Sequence, residues 1–190
     1  MALDRGTEFF KACENGDLEM ISYTITTQNF WNVPYVCSVG LTYACNFGRL
    51  NVIEFLISKG ANNLDDGLAG ACICGHLNVI EFLILKGANN WNRGLASACK
   101  GGHFEVVKLM ISKGANFWNW GLNCACQYGH MEIAELMIFK GAKYDYHHRN
   151  FNNHLINKVL TIHLKKQMVC KIIDKLLLPN NLKMMLYIYT

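Results

Sequence analysis

Apolar and polar positions recur along this chain with a fixed period. Four similar stretches open at Gly40, Gly67, Gly94 and Gly121, so the period is 27. The second stretch reads GLAGACICGHLNVIEFLILKGANN, and the others keep its glycines and most of its apolar positions. A fixed period in this range is typical of architectures in which similar units stack and bury a continuous core. The repeat therefore outweighs any short motif interpreted by itself.

Each stretch begins with the pattern of a short helix. Leu68, Ala71 and Cys72 have the spacing i, i+3, i+4, which places them on one face of a helix. This helix is predicted to end at Gly75, a residue suited to a left-handed C-terminal cap. We expect the equivalent helix in the other three stretches.

A second, more apolar helix follows in each stretch. It is predicted from Asn78 to Lys86, with the lysine at the negative end of the helix dipole and Gly87 as the stop. Its apolar residues cover more than one face, as expected for a helix held between neighbouring units: Leu77, Val79, Ile80, Phe82, Leu83 and Ile84. Since the unit shows no strand pattern, the predicted fold class is all-α, a solenoid of helix–turn–helix units.

Nine positions are identical in all four stretches, and each has an explanation in packing, capping or turn formation. In the second stretch they are Gly67, Leu68, Ala71, Cys72, Gly75, Ile84, Lys86, Gly87 and Ala88. Binding residues are expected instead among the positions that vary between units.

The chain has nine cysteines, and five of them occupy one equivalent position in successive units: Cys13, Cys45, Cys72, Cys99 and Cys126. One cysteine per layer predicts small apolar side chains inside the stack. Free thiols fit a reducing compartment, so we expect an intracellular protein. No apolar run reaches the about 18 residues of a membrane-spanning helix, so no membrane partner is expected.

The C-x-C of Cys72 and Cys74, with His76 two residues later, raises the alternative of a metal site. Side chains two residues apart on a helix point about 200° apart, so these two thiols cannot hold one ion. The histidine recurs in the next two units but is Arg49 in the first. We therefore predict that Cys72 and His76 are framework, and we predict no metal ion, no cofactor and no catalytic residue.

These residues resemble the ankyrin repeat. The family's first-helix motif is T-P-L-H-x-A-A-x-x-G-H, and Leu68, Ala71, Cys72, Gly75 and His76 match it in register. The second helix, LNVIEFLILKGAN, is similar to the family's V-V-x-L-L-L-x-x-G-A-D. The resemblance covers residues 7–142 and implies a non-enzymatic scaffold that binds another protein.

The unit is shorter than is usual for that family, whose period is about 33 residues. The residues missing here belong to the β-hairpin finger and to the T-P that starts the first helix. The resemblance thus implies an ankyrin-type solenoid with shortened loops that lack most fingers. Short units of this kind resemble those of ankyrin proteins from large DNA viruses of protists, which implies a location in the host cytoplasm.

Three regions follow from these patterns. Residues 1–39 are predicted to form an N-terminal capping repeat, FFKACENGDLEMI, and a long linker loop. Residues 40–142 are the four repeats, and residues 143–190 are a basic helical cap that resembles a degenerate repeat. This last region has 8 basic and 2 acidic residues, against 10 and 12 in residues 1–142. Its lysines either bind nucleic acid through phosphates or form the solvated face of the cap, and the second interpretation is favoured.

In the ankyrin family the variable positions of the first helix face the concave side, where partners bind. The resemblance therefore implies a set of partner-binding residues, to which the variable Trp120 is added: Tyr43, Asn46, Phe47, Ile73, Lys100, Trp120, Gln127 and Tyr128. The alternative is that Phe47 and Tyr128 only pack against adjacent helices. Trp91 and Trp118 are predicted in loops, where they either pack loop to loop or bind.

The final stretch, LPNNLKMMLYIYT, resembles the opening of an F-box, L-P-x-E-I-x-x-x-I-L, through four residues: Leu178, Pro179, Leu182 and Leu186. This resemblance implies a substrate adaptor that recruits a host ubiquitin ligase. The favoured alternative is a proline stop followed by an apolar segment that seals the last helix pair. His147–His148 likewise fits a solvated loop better than a metal site, and a monomer or weak self-association is expected.

Overall fold

The structure, a computed structural model, describes residues 3–27 and 32–143, and the single residues Lys158, Thr161, Ile162, Leu164, Lys165 and Met168. All regular secondary structure in these residues is helical. The helices are α1 (Leu3–Asn15), α2 (Leu18–Thr27), α3 (Val33–Asn46), α4 (Leu50–Ser58), α5 (Leu64–Cys74), α6 (Leu77–Leu85), α7 (Trp91–Gly101), α8 (Phe104–Ser112), α9 (Trp118–Tyr128) and α10 (Met131–Phe139).

These helices form five helix–turn–helix units stacked in one direction. The first helices, α1, α3, α5, α7 and α9, pack side by side in one layer, and each second helix packs against the first helix of its own unit. The helices α5, α7 and α9 begin one sequence period apart, as do α6, α8 and α10. The predicted all-α solenoid is confirmed. None of the helices described is both long and apolar enough to cross a membrane.

One continuous apolar core runs through the stack, from Phe9 in α1 to Met137 in α10. The five equivalent cysteines all belong to it and have no exposed surface: Cys13, Cys45, Cys72, Cys99 and Cys126. Their predicted place inside the stack, one per layer, is therefore confirmed. In this setting a thiol acts as a small apolar side chain.

The invariant glycine of each first helix contacts the cysteine of the preceding unit. A Cβ atom on Gly67 would lie 2.9 Å from Sγ of Cys45, and one on Gly121 would lie 3.2 Å from Sγ of Cys99. The missing side chain lets adjacent first helices approach until the thiol touches the neighbouring backbone. This contact explains why both positions are the same in every unit.

The first helices of the later units end as the sequence predicts. Gly75 caps α5 with a φ angle of +78°, and its N–H donates to the Ala71 carbonyl. Glycine adopts this left-handed backbone without the steric cost of a Cβ atom. The equivalent Gly102 and Gly129 cap α7 and α9 with nearly the same angle.

The first helices start before the glycine that opens each sequence stretch. Helix α5 begins at Leu64, three residues before that glycine. In the next unit the side-chain oxygen of Asn90 accepts a hydrogen bond from the Arg93 N–H and starts α7. The first turn of α5 is largely polar and partly exposed, so no apolar periodicity marks it, and in α7 a capping asparagine sets the start.

The predicted linker loop was also wrong in its second half. Helix α3 begins at Val33, so residues 33–39 are helical. The Asn32 side chain caps this helix by accepting from the Tyr35 N–H at 3.0 Å, and Pro34 lies in the first turn, where a missing N–H costs nothing.

The two tryptophans predicted in loops are the first residues of helices. Trp91 opens α7 and Trp118 opens α9. Both rings are partly buried and pack against the core, as does Leu64 at the same position of α5. Their role is therefore to anchor the start of each first helix to the stack.

Candidate binding surface

One position at the C-terminal end of the first helices holds exposed aromatic side chains in two of the four repeats. It carries Phe47, Cys74, Gly101 and Tyr128 in successive units. Phe47 and Tyr128 are each 46% exposed, so part of each side chain is open to solvent. Large side chains stand at the two ends of this line, and small ones lie between them.

Charged and polar groups flank the Tyr128 end of this line. The ammonium of Lys100 lies 5.1 Å from the centre of the Tyr128 ring, within the range of a cation–π contact. Gln127 is also exposed and precedes Tyr128 in the same helix. The structure thus brings three of the predicted binding residues together.

The other predicted binding residues of the first helices are only partly exposed to a partner. Asn46 and Ile73 are partly buried. Tyr43, predicted as a further anchor, is also partly buried, and its ring stacks on Phe10 of α1 with 4.8 Å between ring centres. This aromatic pair links the first two units, so the Tyr43 ring stabilises the stack.

Small residues fill the contacts between adjacent first helices. Ala69 and Ala96 are 7% and 4% exposed, so both lie in helix–helix contacts. Gly70 is also buried, and a Cβ atom there would overlap Oδ1 of Asn46. The first helices between Phe47 and Tyr128 are therefore closely packed against one another.

Trp120 lies at the opposite end of the unit from Tyr128. It is in the first turn of α9 and is 46% exposed, as its sequence position predicted. Its neighbour Phe117 is 56% exposed, and residues Asn116 to Trp120 line a surface pocket of about 400 Å³. The predicted binding residues thus divide between two edges of the solenoid.

A ladder of hydrogen bonds between units was missed by the sequence analysis. In α5, α7 and α9 the side chain of the second residue accepts from backbone N–H groups of the following loop. Oδ1 of Asp65 accepts from Asn89 at 2.8 Å and from Asn90 at 2.9 Å. The equivalent acceptors are Asn92 and Asn119, and Ser38 takes the same position of the repeat in the longer α3.

This ladder had a signal in the sequence, a short side chain with an oxygen acceptor at four positions one period apart. The acceptors satisfy backbone N–H groups that would otherwise lack a partner at the shortened loops. They hold successive loops in register without a β-hairpin.

The recurring histidine connects each unit to the one before. Nε2 of His76 lies 2.9 Å from the Asn46 carbonyl oxygen, and His130 makes the same contact with Lys100 at 3.0 Å. In the first repeat, Arg49 replaces histidine and donates from Nε to the Glu14 carbonyl at 2.7 Å. Arginine can therefore take the position because the contact needs only an N–H donor.

The cysteines of the C-x-C motifs point in different directions. Cys72 is fully buried, whereas Cys74 is exposed. In the part of the chain that the structure describes, no three His, Cys, Asp or Glu side chains come together around a possible ion. Burial raises the pKa of Cys45, Cys72 and Cys99 from the ordinary 9.0 to about 12.

These raised pKa values predict that the fold loses stability at alkaline pH. Below pH 9.0 each thiol is protonated in both states, whereas above it the unfolded chain loses the proton first. Each such thiol then lowers the free energy of unfolding by about 1.4 kcal/mol per pH unit, up to the folded pKa. Urea titrations from pH 8 to pH 10.5 measure this slope, and Cys72→Ala should make it shallower by one such increment. An identical slope in this variant would contradict the assignment.

Some sequence predictions concern residues outside the described ranges. The F-box-like residues Leu178, Pro179, Leu182 and Leu186 lie there, as do His147–His148 and most of the basic cap. Of the cap lysines, Lys158 and Lys165 are described, and both are exposed.

Comparison with known families agrees with the geometry of the repeats. Residues 68–148 match the family model described as ankyrin repeats (3 copies). This range contains α5 to α10 from Leu68 onward, which are the units with the regular period. The chain is thus an all-α helical solenoid, and its residues 68–148 are similar to ankyrin repeats.

Proposed function

We propose that this protein is a non-enzymatic scaffold that binds a partner protein through the concave layer of first helices. The contact surface is the aromatic-ended groove, defined by six residues: Asn46, Phe47, Ile73, Lys100, Gln127 and Tyr128. The match to ankyrin repeats, a type of unit that commonly mediates protein–protein interaction, supports this proposal.

The observation that carries the proposal is the exposure of Phe47 and Tyr128 at the same position of the first and the last repeat. Large aromatic side chains are enriched among the residues that dominate binding energies. The two positions are three helix spacings apart, which is about 25–30 Å. A partner helix of about 17–20 residues has this length and would contact both rings.

The groove predicts a specific loss of binding in a double variant. Phe47→Ala/Tyr128→Ala should weaken partner binding by at least about tenfold, because each ring is expected to be a binding hot spot. Affinity purification from host cells with mass spectrometry identifies the partner, and titration of that partner gives the dissociation constants.

The matched control is Tyr23→Ala/Phe117→Ala, which removes one tyrosine and one phenylalanine that are 63% and 56% exposed elsewhere. This control should retain the partner at wild-type affinity. Equal losses in the two double variants, or no loss in the groove variant, would overturn the groove as the binding site.

The narrower adaptor hypothesis depends on the F-box resemblance of Leu178, Pro179, Leu182 and Leu186. Deleting residues 178–190 in the same purification separates it from the scaffold. Loss of ubiquitin-ligase subunits with the groove partner retained would support the adaptor, and retention of both would exclude recruitment through this stretch. An intracellular location in the host cytoplasm belongs to the proposal and is supported by the free thiols of the core.

A further inference from the structure

A row of lysines follows the edge of the solenoid where the second helices end. The lysine row consists of the C-cap residues of α4, α6, α8 and α10: Lys59, Lys86, Lys113 and Lys140. All four side chains are exposed. The helix dipole stabilises a cation at a helix C-terminus, which explains each lysine separately. Four such lysines in successive units nevertheless form a line of like charges.

None of the acidic side chains whose contacts the structure describes forms an ion pair with these four lysines. The ion pairs found in residues 3–27 and 32–143 join Arg93 to Asp66 and Lys108 to Glu105, and none includes a residue of the lysine row. Asp65 lies at the same edge, but its Oδ1 accepts two loop N–H groups. The row thus presents positive charge to solvent.

Two of the ammonium groups are held in place by aromatic rings. Nζ of Lys59 lies 5.2 Å from the centre of the Phe55 ring, and Nζ of Lys86 lies at the same distance from Phe82. Each contact holds the lysine side chain over a ring that lies one turn earlier in the same helix, which restricts the motion of the ammonium group. The first half of the row is therefore partly ordered before any partner arrives.

The spacing of the row suits one kind of anionic partner. The first helices of successive units pack side by side at about 8–10 Å, and each unit of the row contributes one lysine, so the lysines recur at about this interval. A polyproline II chain rises about 3.1 Å per residue with three residues per turn, so every third side chain lies on one face at about 9.3 Å. Carboxylates at every third residue therefore meet successive lysines.

We infer that the lysine row is a second interaction surface, which binds an extended acidic peptide segment with a carboxylate at every third residue. This surface goes beyond the groove proposed above. The groove lies at the C-terminal ends of the first helices, and the row lies at the C-terminal ends of the antiparallel second helices. The two are separated by a helix of nine residues, about 13 Å long.

Exposed apolar side chains next to the row favour a protein segment over a nucleic acid. Leu85 precedes Lys86 and is 84% exposed, and Phe139 precedes Lys140 and is 77% exposed. They can contact the side chains between the carboxylates of a peptide. The Phe55 and Phe82 rings are covered by ammonium groups, so they offer no free face on which a base could stack.

Two synthetic peptides of equal composition test the inference on the full-length protein. One repeats Glu-Pro-Pro four times, and the other places its four glutamates together before eight prolines. With fluorescent labels at low ionic strength, where charge contacts are least screened, the periodic peptide should bind about fivefold more tightly. The basic C-terminal region is present in both titrations, so the comparison of charge-matched variants is needed to locate the site on the lysine row.

A pair of charge-matched variants locates the site. Lys86→Gln/Lys113→Gln removes the centre of the row and should weaken the periodic peptide about fivefold. Lys11→Gln/Lys108→Gln removes two exposed lysines elsewhere and should change binding less than about twofold. Circular dichroism and the urea midpoint check that both variants are folded, and each should still bind the groove partner.

Equal affinity for the two peptides, or equal losses in the two variants, would overturn the inference. A second result would also overturn it. In that case the wild type would bind a DNA duplex or phosphatidylserine vesicles but not the periodic peptide, and the row variant would lose this binding. Since the groove variant should bind the periodic peptide normally, failure of either surface can be recognised separately.

Discussion

Replacing Leu83 with alanine should lower the free energy of unfolding by about 2–5 kcal/mol, the largest effect that we expect from one substitution. Leu83 has no exposed surface and lies in α6, in the middle of the stack. Its truncation removes apolar contacts and leaves a cavity that the helices on either side cannot close. Urea unfolding followed by circular dichroism gives the change in free energy.

The matched control is Leu85→Ala in the same helix, because Leu85 is 84% exposed. This second substitution should change stability by less than about 0.5 kcal/mol. Similar effects of the two substitutions would contradict the burial of α6 between neighbouring units.

A side chain at Gly67 should also destabilise the stack strongly. Gly67→Val places a branched group where Sγ of Cys45 lies 2.9 Å from the Cβ position and Cδ1 of Leu83 lies 3.6 Å from it. Both neighbours are fully buried, so α3 and α5 must separate to admit the valine. Overpacking of this kind costs about 1–3 kcal/mol, which the urea midpoint reports.

Gly6→Val provides the comparison, since Gly6 is also in the interior of a helix and nothing lies within 4 Å of its Cβ position. Valine and glycine differ little in helix propensity, so this variant should stay within about 0.5 kcal/mol of the wild type. A Gly67 variant as stable as the Gly6 variant would show that adjacent first helices do not approach as closely as described.

The regular part of the fold was predictable because four units could be compared within one chain. Positions that stay apolar in every unit, such as Leu83, must face the core, and the structure buries this residue completely. Glycines such as Gly75, placed directly after an apolar stretch, mark helix ends by a local steric rule, and the φ angle of +78° agrees.

The helix starts could not be predicted in the same way. The turn from Leu64 to Asp66 is partly exposed and carries two acids. The preceding Asn63 makes no side-chain cap hydrogen bond to this turn. Asp65 instead accepts hydrogen bonds from the N–H groups of Asn89 and Asn90, 24 and 25 residues later in the chain. A local pattern does not contain an interaction between residues so far apart in the sequence.

The exposure of the two terminal aromatics of the candidate groove could be predicted from the sequence, but the packing of Tyr43 could not. Phe47 and Tyr128 vary between units and are exposed, as variable positions of a solenoid often are. Tyr43 also varies, yet it stacks on Phe10, a residue of the capping unit whose position relative to α3 the repeat pattern does not define. Variation alone therefore cannot distinguish a contact to a partner from a contact that is specific to one junction.

The loop ladder has a consequence for how such a chain can change in length. The repeat contains both the acceptor and the donors of this connection. Oδ1 of Asp65 in α5 accepts from the backbone N–H groups of Asn89 and Asn90, which lie in the loop before α7. A tandem duplication of one repeat's codons would therefore create a new unit whose hydrogen bonds on both sides already exist elsewhere in the protein. Arrays of this design can grow or shrink by whole units without a new kind of junction.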